Sequence, residues 1–324
     1  MRSTLAFLLI SFMVAAPVTV RAQIKDAYPV KPIRLVVTFV PGGTTDIQAR
    51  LLNDKLAPRL GQQIVLDHRG GAGGNIGMEV VARSPADGYT LVITVIGTWA
   101  VNPHLYKLPY DVQKDFAPII HFGTTPGVLV VHPSVPARSV KDLIALARKR
   151  PGELTYGTAG VGSFTHISAE LFGVMTGTKM THVPYKGSGA VTIDLIGGHL
   201  QLSFSSAVPA MPQIQSGRFR ALATTGAKRS RATPELPTVA EAGLPGFETG
   251  AWYMLLAPAG TPSAVIAKLH AEAVKAIHLA DVTSRLEGEG VEIVGSTPEQ
   301  AIQYIQAQLV RWDRVVKAAG IKAE

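Results

Sequence analysis

The sequence predicts an α/β protein of two domains. A strand, a glycine turn and a helix start follow one another directly in residues 35–50, and the same order returns in residues 154–171. Two further passages, residues 116–150 and 251–278, each run as strand, proline-rich turn and amphipathic helix, as two crossings between domains would. Alternation of strands with helices argues for a largely parallel sheet with right-handed crossovers.

Taken in order, residues 35–40 form an apolar, β-branched run of the kind that fills a strand covered on both faces. Pro41 ends it, having no N–H for a ladder. Gly42 and Gly43 allow a tight turn, and Thr44, Thr45 or Asp46 can cap a helix whose apolar positions Ile47, Leu51, Leu52, Leu56 and Leu60 follow helical spacing. A second strand is expected over residues 63–67. Asn75 is expected to cap a helix through Val81, and a third strand spans residues 89–95. The loop of residues 97–110 carries Thr98, Trp99, Asn102 and His104, which can line a cleft or simply pack.

Residues 116–131 read as extended chain broken by Gly123 and Pro126-Gly127, followed by a helix capped by Ser139 and running to Arg150. Next come a strand over 154–158, a helix opened by Gly160-Val161-Gly162-Ser163, a strand over 181–184, a helix to Ile196 and a strand over 200–205. Residues 234–245 are studded with proline and read as an irregular connection. Thr297-Pro298-Glu299-Gln300 combines a capping box with proline at the first helical position, so a terminal helix is expected through Lys317. The domains expected are residues 23–125 together with 250–324, and residues 126–249.

The 324 residues are 47% hydrophobic and 17% charged, a globular composition with a substantial core. Arg2, an apolar run over residues 5–16 and Val20-Arg21-Ala22 have the layout of an export signal, residues 1–22, with cleavage expected before Gln23. The chain has no cysteine, which excludes disulfides and thiolate metal sites. Its formal charge of +8 falls by the two arginines of the signal, and the remaining basic residues are dispersed. With no basic-aromatic motif, that pattern gives no support for nucleic-acid binding.

The glycine-bounded helix starts carry the chemistry. Unpaired N–H groups and the positive end of the helix dipole favour an anion, each helix contributing about 0.3–1 kcal/mol. Hydroxyls of Thr44, Ser163, Thr165 and Ser188, the ring of His166 and the amine of Lys186 can join them. Asp46 would repel an anion and can instead cap its helix or accept an N–H from a ligand. Ser203, Ser205 and Ser206 can face a cleft or sit in the sheet. Catalysis finds little support: no serine lies in a G-x-S-x-G elbow, the nine histidines form no compact metal pattern, and the glycine runs lack full dinucleotide spacing. No enzyme activity, cofactor or metal is expected.

The export signal, Pro41-Gly42-Gly43-Thr44-Thr45-Asp46, Gly71-Ala72-Gly73-Gly74-Asn75-Ile76-Gly77, Gly160-Val161-Gly162-Ser163 with His166, and Val183-Pro184-Tyr185-Lys186-Gly187 together resemble the Bug family of periplasmic solute-binding receptors. These are the extracytoplasmic components of tripartite tricarboxylate transporters. The resemblance covers essentially the whole mature chain and implies a two-domain, type II-like periplasmic-binding-protein fold with a ligand cleft between the domains. It implies a small carboxylate ligand, permease subunits in the membrane as partners, and a monomer. Carried over residue by residue, it points to Pro41, Gly43, Thr44, Thr45 and Asp46 on one wall. Gly162, Ser163, Thr165 and His166 stand on the other, with Tyr185, Lys186 and Ser205 beside them. Where the family often has an acidic or amide residue, this chain has Ser203-Phe204-Ser205-Ser206. A ligand-sensing module for a signalling partner, or a hydrolase using Ser163, are the alternatives.

Overall fold

The computed structural model describes residues 28–42, 44–185, 187–230, 233–288 and 290–322, with Val208 and Pro209 described in backbone alone. The export signal, Gly43 and Lys186 lie outside the described residues.

Strand β1 (Ile33–Val37) leads into helix α1 (Thr44–Leu60), followed by β2 (Ile64–His68), α2 (Asn75–Ala82) and β3 (Thr90–Val95). These three strands are parallel, in the order β2-β1-β3. The first strand begins earlier than its apolar run suggests. Arg34 takes part because its guanidinium pairs with Asp67 of the adjacent β2. Gly74, with φ +94°, caps α2, rather than Asn75, which is its first residue.

The long β4 (Phe116–Val131) is continuous where a broken segment was expected. Its glycine and proline mark a change of partners. Residues 116–126 pair antiparallel with β9 (Gly250–Pro258), with register shifts around Pro118 and Gly123, and residues 127–131 pair with β7 (Leu202–Ser206) and β8 (Arg220–Thr224). Between these come α3 (Val140–Lys149), β5 (Thr155–Thr158), α4 (Phe164–Thr176), β6 (Thr181–Pro184), α5 (Ser188–Ile196) and α6 (Ala207–Gln215). Ser139 caps α3 by accepting the Asp142 N–H at 3.1 Å. After β9 follow α7 (Ser263–Ile277), α8 (Ala280–Gly288), β10 (Glu292–Ile293) and α9 (Pro298–Ala319). Thr297 and Gln300 form the expected capping box.

The strand order is β2-β1-β3-β9-β4-β7-β5-β6, with β8 and β10 also on β4. The sheet is therefore mixed rather than largely parallel. Both long strands that run between its two parallel groups, β4 and β9, are antiparallel to their neighbours.

Side-chain alternation places the cores. Along β4, Leu129 and Val131 enter a core shared with Val36, Trp99, Ile167, Phe172, Trp252 and Trp312, while Val128 and Val130 face Val191, Leu195 and Phe219 under α5 and α6. Ile33, Leu35 and Val37 of β1 face the other way, onto Leu52, Leu56, Leu269 and Ile277 of α1 and α7. Helix α9 contributes Ile305, Leu309 and Trp312 to the shared core, and Arg311 donates to the Glu248 carbonyl at 2.6 Å. Ser168 of α4 donates to Thr249 at 2.7 Å, beside the start of β9. Among the described residues no helix is long and apolar enough to cross a membrane.

Candidate functional site

In open α/β sheets ligands collect at the carboxyl ends of parallel strands, where successive turns feed helix N-termini. Here β1 and β3 are parallel neighbours, and so are β5 and β6. The two groups meet through glycine: a Cβ added to Gly97, just after β3, would lie 2.4 Å from the carbonyl oxygen of Gly162, after β5. One added to Gly162 would lie 2.8 Å from Asn102 Oδ1.

The first turn folds back on itself. Asp46, in the first turn of α1, accepts the Gly42 N–H at 2.9 Å and the Arg50 guanidinium at 3.0 Å, and its other oxygen lies 2.7 Å from His68 Nε2. Its side chain is 4% exposed. Burial pushes the carboxyl up, but the Gly42 N–H, Arg50 and His68 outweigh burial and bring it down to about 2. Asp46 is therefore charged, paired and committed to the turn. Pro41 is exposed, Thr44 half-buried and Thr45 buried at this helix start.

The second turn is built by its own hydroxyls. Ser163 caps α4, donating to the Gly160 carbonyl at 2.6 Å and accepting the His166 N–H at 3.3 Å. Thr165 accepts the Ala159 N–H at 2.9 Å, and its oxygen lies 2.9 Å from that of Ser163. The Gly162 N–H goes to His166 Nδ1 at 3.1 Å, which fixes that nitrogen as an acceptor and the ring as neutral. Burial, with help from nearby His182, lowers the His166 imidazole to about 3. The rings of His166 and His182 stack at 4.2 Å, and Tyr156 stacks on His182 at 5.1 Å. Tyr156 donates to Glu170, whose carboxyl burial pushes up, the Tyr156 hydrogen bond opposing it.

With the side chains so engaged, the backbone offers the binding groups. The N–H groups of Phe164 and Thr165, in the first turn of a 13-residue helix, and of Val161 in the loop before it have no hydrogen-bond partner among the described residues. Such donors, with the helix dipole behind them, suit a carboxylate oxygen. Ser205 and Ser206 close β7 beside this turn, 7% and 5% exposed, and Ser206 starts α6 without a side-chain cap bond. Ser203 instead donates to the Gly157 carbonyl at 2.9 Å, inside the sheet.

The Tyr185 N–H donates to the Thr158 carbonyl at 3.0 Å, and its carbonyl abuts Gly160. The phenol turns away to Asp194 of α5; burial first, and that carboxylate second, push it up to about 12. Among the residues singled out in sequence, the structure brings Gly162, Ser163, Thr165 and His166 together in one turn. It joins Thr44, Thr45 and Asp46 in another. Gly97 has no distinguishing spacing in the sequence, and only the fold reveals it, whereas Asn102, expected to line a cleft or simply pack, lies against Gly162. A cavity of about 600 Å³ opens elsewhere, between Phe116 and Pro118 of β4, Ile266 of α7 and Ile302 of α9, and includes none of the turn residues.

The profile of the tripartite tricarboxylate transporter family receptor matches residues 48–321. The protein BugT of Bordetella pertussis is 38% identical over 311 residues, covering 95% of this chain and 94% of BugT. Among solved structures, Rpa4515 of R. palustris with adipate superposes with a TM-score of 0.83 at 41% identity, covering 91% of this chain and 99% of that one. MatC of Rhodopseudomonas palustris, with bound malate, gives 0.80 at 33% identity over 89% of this chain and all of its own. The chain therefore belongs to the tripartite tricarboxylate transporter receptor family, the Bug-type periplasmic solute-binding receptors.

Proposed function

We propose that this receptor captures a small aliphatic dicarboxylate in the periplasm, closes on it, and delivers it to permease subunits in the membrane. Residues 23–125 with 250–324 form one lobe and residues 126–249 the other, with β4 and β9 as the crossings. The ligand sits between the turn before α1 and the turn before α4, near Ser205. The chain is exported by its leader, acts as a monomer, and is not an enzyme.

The observation that carries this reading is the turn of residues 159–166: a cap built from side chains that leaves the N–H groups of Val161, Phe164 and Thr165 as donors at a helix start. The choice of acid is supported by the relatives found with adipate and malate. Capture works by population shift, since a ligand touching both lobes only when they are closed favours closure by its differential affinity.

The test is a thermal-shift screen of the chain from Gln23 onward against mono-, di- and tricarboxylates and aromatic acids, followed by calorimetry. A ligand at one hundred times its Kd adds about 2.7 kcal/mol to apparent stability. A dicarboxylate is expected to head the panel. Failure of every carboxylate to raise the midpoint would overturn the reading.

A further inference from the structure

Asn102 sits in the segment that follows β3, a π-helical turn Gly97–Val101 and then a 3-10 turn. It is 1% exposed. Its amide donates to the Gly73 carbonyl at 3.0 Å and to Asn75 Oδ1 at 2.8 Å, where the Tyr110 hydroxyl also donates, at 3.1 Å. The orientation is forced: reversing the amide would set oxygen against the Gly73 carbonyl and the Asn75 oxygen. Asn102 Oδ1 is one of several buried side-chain polar atoms with no partner among the described residues, and it is set apart by lying close against Gly162 of the facing turn. Native proteins leave few such acceptors unpaired, because each costs about 1–3 kcal/mol. The same segment meets Gly162 a second time, through Gly97, where no side chain fits.

We infer that Gly97 and Asn102 are positioning residues for the ligand. Gly97 admits the Gly162 carbonyl, and Asn102 Oδ1 supplies the acceptor that the Gly162 N–H, held by His166 here, takes up in the bound arrangement, which leaves the N–H groups of Val161, Phe164 and Thr165 to the ligand. Neither Gly97 nor Asn102 touches the ligand. The inference rests on the receptor reading. One side chain thus ties the glycine loop of residues 71–77 to the turn before α4, so the placement of the α4 donors depends on a residue from the opposite group of strands. The π-helical turn suits this role, since such local rewinding of a helix recurs at functional sites.

Gly97→Ala tests the contact directly. Gly97 has no positive φ, so alanine is conformationally acceptable there, and the added Cβ meets a backbone carbonyl that only a shift of the turn relieves. The variant is expected to fold, with a lower ligand-free unfolding midpoint because the contact is present without ligand, and to bind adipate or malate, whichever the wild type prefers, at least about tenfold more weakly, through faster dissociation. Asn102→Ala is expected to act in the same direction. Hydrogen exchange on the wild-type chain supplies a readout that needs no variant: ligand is expected to protect residues 97–105 and 159–166 together. Protection of 159–166 alone, or unchanged dissociation in Gly97→Ala, overturns the inference while leaving the receptor reading intact. A wild-type chain that binds no carboxylate refutes the receptor reading itself.

Discussion

The tightest electrostatic arrangement near the proposed site is the one around Asp46, and Asp46→Asn measures what it contributes. The charged carboxylate holds the Gly42 N–H, Arg50 and His68 at once, with only 4% of its side chain exposed. Lowering a carboxyl from 3.8 to about 2 corresponds to about 2.5 kcal/mol in favour of the folded, charged form. The sign follows from the direction of the shift. The unfolded chain binds the proton more readily, so the contribution is fully present above pH 4 and is lost as pH falls towards 2. About half of it is gone at pH 3. Asparagine keeps one oxygen for the Gly42 N–H but loses the charge, so the variant is expected to be about 1–2.5 kcal/mol less stable at neutral pH. Urea denaturation of both proteins between pH 7 and pH 3 reads the gap directly. A gap that stays constant down to pH 3 would refute the charge argument, and no gap at pH 7 would remove Asp46 as an anchor of the turn.

Removing the α4 cap with Ser163→Ala is expected to cost about 1 kcal/mol in denaturation experiments and to weaken dicarboxylate binding several-fold in calorimetry, because the α4 donors lose their fixed placement. His166 is buried, neutral and held near 3, below the ordinary imidazole value of 6.5, so the unfolded chain takes up more protons and stability falls as pH drops from about 6.5. His166→Asn is expected to flatten that fall in urea titrations between pH 6.5 and 5; an unchanged slope would assign the loss to other groups. Trp312 is fully buried in the core that α9 shares with both groups of strands, and Trp312→Ala is expected to cost about 3–5 kcal/mol by equilibrium denaturation.

The legible parts of this fold are those decided within a few residues. The caps at Ser139 and Thr297 need only a hydroxyl and an N–H three positions on, and each is found where the sequence places it; Ser163, expected as a hydroxyl for the ligand, caps α4 by the same local geometry. Elements decided by distant partners were harder to read. Helix α6 carries Pro212 inside it, a residue that locally argues for a break. The short β8 exists because Leu129 and Val130 of β4 offer it an edge. Pro126 does mark an event in β4, but the event is a change of partner strands rather than an end, and no local pattern distinguishes the two.

The same distinction separates the placement of the site residues from their tasks. Ser163, Thr165 and His166 were singled out as groups that could reach a ligand, and they do gather at one helix start, yet their polar atoms bond to Gly160, Ala159, Gly162 and one another. Asp46 likewise bonds to Gly42, Arg50 and His68. Side-chain type predicts that a residue can hydrogen-bond, while the register of β1 against β2, which sets His68 beside Asp46, decides with what. An anion held by backbone N–H groups depends on the shape of the turn more than on any residue's charge, so its recognition is written in the residues that hold the turn. A substitution that alters turn geometry without touching a polar group, such as Gly97→Ala, should therefore weaken binding more than removal of a surface lysine or arginine nearby. Arg69→Gln, at a side chain 50% exposed just after β2, provides the comparison. If titration shows that Arg69→Gln lowers affinity more than Gly97→Ala does, charge rather than turn geometry governs recognition.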